Sequence, residues 1–69
     1  MEKTIKKIVK NTPRASFANP RVYMDEDGLV KVIAGSPADA TRFIQAIRSA
    51  GYSCNTSPWD WRTIVVTNR

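Results

Sequence analysis

The chain contains no histidine. Its absence removes the usual general base near neutral pH, the commonest metal ligand and every Ser-His or Cys-His nucleophile pair. Cys54 is the single cysteine, so no disulfide closes within the chain, and one thiol without an imidazole does not build a zinc site. An unpaired cysteine suits a reducing compartment better than secretion. Glycine occurs only three times, scattered, which leaves no glycine-rich loop to cradle a phosphate. Long apolar runs are also missing. The start, MEKTIKKIVKN, carries the positive charge of a secretory n-region without the apolar stretch of roughly 7–15 residues that follows one, and nothing approaches the ~20 residues that span a bilayer. These absences predict a soluble, cytoplasmic protein with no cofactor, no metal, no membrane partner and no enzymatic chemistry.

Acidic residues are few, six against eleven lysines and arginines, and the net charge is +5. Three of the six acids, Asp25, Glu26 and Asp27, fall in one turn, while Lys3, Lys6, Lys7, Lys10 and Arg14 all lie in residues 1–14. The molecule is thus basic at its start and acidic at one tip, an asymmetry that favours polyanionic partners without specifying a fold. The acidic cluster lacks the ligand number and spacing of a calcium loop, and its simplest role is to form a turn.

The 69 residues make one domain, 1–69, whose core at this size rarely yields more than roughly 3–5 kcal/mol of net stability. The clearest element is a helix over 36–51. Ser36 is a good N-cap, Pro37 suits the first turn, Asp39 completes a capping box and Gly51 supplies a left-handed stop. Ala40, Phe43, Ile44 and Ile47 recur on one face, with Arg42, Gln45 and Arg48 opposite. Residues 21–34, RVYMDEDGLVKVIA, read as a β-hairpin closed at Gly28. Val22 and Met24, with Val30, Val32 and Ala34, form the floor under the helix, and Arg21, Tyr23, Lys31 and Ile33 face away. Residues 62–68 form a C-terminal strand with Ile64 and Val66 on one face.

Residues 1–14 form a basic N-terminal segment. Ile5, Ile8 and Val9 fit a helix face, but a short piece rich in threonine, isoleucine and valine favours a strand, with its lysines protecting a sheet edge. NTPRASFANP then forms a loop in which Phe17 folds back on the core. FIQAIRSAGY resembles the helix-to-strand corner of heavy-metal-associated domains, whose CxxC is absent here. The predicted fold class is α+β: a small antiparallel sheet of three to four strands with one amphipathic helix packed on one face, in the order β-β-β-α-β, with α-β-β-α-β as the alternative.

SPWDWR places Trp59 and Trp61 on either side of Asp60. A continuous strand turns both rings to the open sheet face beside Arg21, Tyr23 and Lys31, whereas a bulge after Pro58 sends one inward. So lean a core favours burying at least one, Trp61 before Trp59. The expected function is a non-enzymatic binding or regulatory module that docks on nucleic acid or a nucleoprotein. Lys3, Lys6, Lys7, Lys10 and Arg14 contact phosphate, and Arg21, Tyr23, Lys31 and Arg62 extend the footprint. The alternative is a small inhibitor or adaptor of phage or mobile-element type, binding a host or regulatory protein through Asp25, Glu26, Asp27, Trp59 and Trp61. A homodimer through an exposed strand edge is compatible with either.

Overall fold

A computed structural model describes residues 1–67. Six elements follow one another: α1 (Glu2–Asn11), β1 (Arg21–Met24), β2 (Val30–Ile33), α2 (Pro37–Ser49), β3 (Cys54–Thr56) and β4 (Thr63–Val66). The strands form one antiparallel sheet in the order β1-β2-β4-β3. Because β4 returns between β2 and β3, the β2-α2-β3 passage is a split β-α-β unit.

The first segment corrects the expectation of an N-terminal strand, and of the order β-β-β-α-β with it. Residues 2–11 are helical because Ile5 and Val9, one turn apart, are buried and Ile8 packs beside them. Contacts to α2 and β1 provide what an isolated helix of this length lacks, since short helices in water are marginal and gain most of their stability from tertiary packing. Burial of each such aliphatic side chain contributes about 1.5–3 kcal/mol, which outweighs the weak strand preference of isoleucine, valine and threonine. Neither of the orders drawn from sequence contains β3, whose short CNT segment carries no alternating apolar pattern to mark it.

The second helix follows its local signals. Ser36 Oγ accepts from Asp39 N at 3.2 Å, Pro37 stands at the first position, and Gly51 takes a φ of +98° as the chain turns away. Asp39 departs from the capping-box expectation. Its carboxylate does not return to the cap: it is fully buried and accepts from Ala15 N at 2.6 Å and Ser16 N at 3.2 Å. The loop between α1 and β1 is therefore fastened to the start of α2.

Inward-facing Val30, Val32, Ala34, Ile64, Val66 and Cys54 meet Ala40, Phe43 and Ile47 of α2 and Ile5 and Val9 of α1 in one core. Both helices thus cover the same sheet face. Met24, expected in the floor, is 49% exposed because the edge strand β1 carries it past the helices. Of the C-terminal strand expected over 62–68, Thr63–Val66 is observed, and Asn68 lies outside the described residues. Cys54 is buried, its thiol 3.8 Å from Ile44 O. Burial pushes that thiol's pKa up, against the opposing charge of Arg48, as suits an inert packing residue.

Candidate functional site

Helix α1 arranges the basic segment. At about 100° per residue, Lys3, Lys6, Lys7 and Lys10 fall within one arc of roughly 100°, opposite the buried Ile5 and Val9. All four lysines are exposed. Lys6 lies 3.5 Å from Glu2 in an exposed i,i+4 pair, which is weak in water. Among the described residues, Lys3, Lys7 and Lys10 enter no ion pair. Burying the isoleucine and valine stripe thus forces the lysines into a continuous cationic ridge.

Arg14 prolongs that ridge beyond the helix. Its Nη1 donates to Ala18 O at 3.1 Å and Asn19 Oδ1 at 2.7 Å, so the guanidinium is oriented before any ligand arrives. Between α1 and β1 lies a groove of about 350 Å³ bordered by Lys6, Lys10 and Arg14, with Val9, Pro20 and Val22 as its apolar part.

The rings are arranged otherwise than sequence alone suggests. Phe17 does not fold back on the core. It is 104% exposed, while its loop is held by Asp39, by Arg14 and by the approach of Ala18 and Ser16 to Gly35, where an added Cβ would meet both at 2.8 Å. Nor is either tryptophan buried: Trp59 is 92% exposed and Trp61 52%. Their segment is neither strand nor bulge but the connection between β3 and β4. Ser57 N donates to Thr63 O at 2.7 Å, while Asp60 Oδ1 accepts from Arg62 N and Oδ2 from Thr63 Oγ1. The hydrogen bonds from Arg62 N and Thr63 hold the Asp60 pKa below the ordinary carboxylate range. Asp60, rather than a core vacancy, fixes the segment. Trp61 borders a hollow of about 320 Å³ with Pro37, Ala40 and Ile44, so it lies along the α2 flank and not on the open sheet face with Tyr23. Its ring has the Arg62 guanidinium 5.5 Å from its centroid.

The strand register divides the molecule into two ends. Arg21 pairs with Ile33 and Ile33 with Thr63 at one end, while Met24 pairs with Val30 and Val30 with Val66 at the other. The loops of Phe17, Trp59 and Trp61 therefore share the first end, and the acidic turn occupies the second. Within that turn Asp25 accepts from Asp27 N and Leu29 N and pairs with Lys31. The hydrogen bond from Lys31 lowers the Asp25 pKa, and the same contact raises that of Lys31. Lys31 is thus already neutralised, and Asp25 is a turn residue. Glu26 and Asp27 remain as exposed acids. Arg21 and Tyr23 are exposed on the open face, where Asn55, Thr63 and Val65 also face by register.

No family model, curated protein or solved structure matches this chain. The site is accordingly characterised by its own chemistry. Among the described residues no group of three or more histidine, cysteine, aspartate or glutamate side chains is placed to hold a metal ion, and no helix is long and apolar enough to cross a membrane. Phe17, like Trp61, is exposed where the sequence suggests burial. A loop phenylalanine gives no local sign of whether it turns in or out, and the carboxylate that fastens its loop stands more than twenty positions away.

Proposed function

We propose that the protein is a non-enzymatic module that docks on nucleic acid, alone or within a nucleoprotein, through the ridge Lys3, Lys6, Lys7, Lys10 and the oriented Arg14. The observation that carries this reading is the segregation of four lysines onto the exposed face of α1. A solubilising surface intersperses both signs, whereas a single-sign ridge concentrates potential along a line and suits a row of phosphates. Arg21 and Tyr23 flank the same edge of the sheet. Lys31 contributes less because Asp25 pairs with it, and Arg62 because it stands on the β3–β4 connection whereas α1 packs against α2 and β1.

Fluorescence anisotropy with short labelled DNA and RNA at low salt tests the proposal. Wild-type protein binds, and a K3Q/K6Q/K7Q/K10Q variant with unchanged circular dichroism loses most of that affinity. Absence of binding by the wild type refutes it.

A second reading, a small adaptor or inhibitor that binds a protein, draws on Phe17 and Trp59. Exposed rings of this size are liabilities unless a partner covers them. The register separates them from Glu26 and Asp27 by the length of the sheet, so ring anchors and acidic tip would serve different contacts. Trp59→Ala discriminates the two: if the variant retains nucleic-acid affinity but fails to bind a candidate regulatory protein that the wild type binds, the second reading stands.

A further inference from the structure

The groove between α1 and β1 has a chemistry that phosphate contact alone does not need. Its cations sit on one wall and its mouth: Lys6 and Lys10 one helical turn apart on α1, and Arg14 just beyond. Val9, almost fully buried, closes the floor, and opposite the cations Pro20 and Val22, from the chain entering the sheet, form an apolar patch. The Nη1 atom of Arg14 is engaged by Ala18 O and Asn19 Oδ1, which leaves Nη2 and Nε to donate elsewhere. The same bond directs the Asn19 amide oxygen toward Arg14, so its NH2 group is free to donate. At about 350 Å³ the groove falls at the small end of ligand sites, roughly 300–1,000 Å³.

A duplex backbone would satisfy the cations and leave the apolar patch against water. One nucleotide carries an anion and a flat, largely apolar ring in a single unit, and that matches both parts. A base reaches such a patch only when it is unstacked and unpaired. We propose that the groove holds one unpaired nucleotide of a single strand, its phosphate on Lys6, Lys10 and Arg14 and its base against Pro20 and Val22. This inference rests on the nucleic-acid reading above and narrows it to single strands. The lysine ridge guides the strand, and the groove selects its unpaired state.

The test is an amide NMR titration of the intact chain, run in parallel with affinity measurements. The probes are a short single-stranded DNA, the duplex made from it, adenosine 5′-monophosphate and a poly-glutamate peptide. The single strand is expected to shift the amides of Val9, Asn19 and Val22 and to give contacts between base protons and the Val22 methyls. It should bind about fivefold or more tighter than the duplex, the low end of what one stacked base contributes. The duplex should shift only the α1 ridge, and the monophosphate should reach the same groove amides more weakly than the strand. A Val22→Thr variant, which keeps a β-branched residue in the strand and adds a hydroxyl to the apolar patch, should lose the preference for single strands while keeping ridge-dependent binding to duplex.

Equal affinity for both forms with no shift at Val22 overturns the groove site and leaves the docking reading intact. Loss of all binding at low salt overturns both. Tighter binding of the free monophosphate than of the strand, or equal competition by poly-glutamate, also overturns the proposal, since the groove would then be selecting a free nucleotide or charge alone.

Discussion

The two helices pack on the same sheet face but are specified differently. Helix α2 carries its instructions locally: a serine cap bonded to Asp39 N, a proline in the first turn and a glycine stop at positive φ. Helix α1 has no side-chain cap at its N-terminus, contains four β-branched residues and devotes its outer face to lysine. It is held by Ile5, Ile8 and Val9 against the core. A helix that borrows its stability from one face is free to spend the other on charge, and that face is where a polyanion would dock. Apolar packing and exposed charge therefore occupy different faces of α1.

The largest test of this division lies in the core that both helices share. Phe43 is fully buried at the centre of α2's inner face, and Phe43→Ala should cost about 3–5 kcal/mol, enough to unfold a domain of this size in a denaturant titration. Ile5→Ala should cost about 2–5 kcal/mol. If α1 is as dependent as described, amide exchange in residues 2–11 should accelerate more than in α2. Equal acceleration in both would contradict the contrast.

Smaller effects come from the fastenings. Asp39→Ala removes a carboxylate that accepts from Ala15 N and Ser16 N, and hydrogen bonding to a charged group contributes about 1.5–3 kcal/mol net of the exchange with water. The expected result is a lower midpoint, with the fastest exchange gain at those two amides. Ser36→Ala should cost about 1 kcal/mol, confined to the start of α2. The smallest change concerns acid. Since the Lys31 hydrogen bond lowers the folded pKa of Asp25, its contribution is present above the ordinary carboxylate range and is lost as pH falls through the lowered value. Asp25→Asn should therefore lower stability slightly in the neutral region and flatten the acid limb, so that variant and wild type converge as pH falls through the lowered value.

What could be seen in the sequence follows the same division. Helix α2, the hairpin with Gly28 at φ +79° and the buried faces of β2 and β4 depend on neighbours a few residues apart, so local pattern reveals them. Helix α1 was hidden because its β-branched residues argue for a strand until α2 and β1 are there to receive them. Strand β3 was hidden because Cys54, Asn55 and Thr56 have no apolar alternation and exist as a strand only through pairing with β4. The basic candidates were legible by type, but their common face was not, since that required the helix. The lean core argues for burying at least one tryptophan through a bulge after Pro58, yet both stay out because Asp60 folds the segment into a turn. The relative order of their exposure nevertheless follows the expectation, Trp59 being the more available.

The docking claim is tested most directly by the salt dependence of binding to a short oligonucleotide. The slope of log affinity against log salt is about −2.1 for a single strand, on which Lys6, Lys10 and Arg14 share one phosphate and Lys3 and Lys7 take one each, and about −4.5 for a duplex, on which all five cations neutralise one phosphate each. In the K3Q/K6Q/K7Q/K10Q variant only Arg14 remains, and the slope should fall to about −0.7 or −0.9 respectively. A slope that stays the same after the four substitutions would show that the charge on α1 is not what meets the phosphates, and would contradict the account.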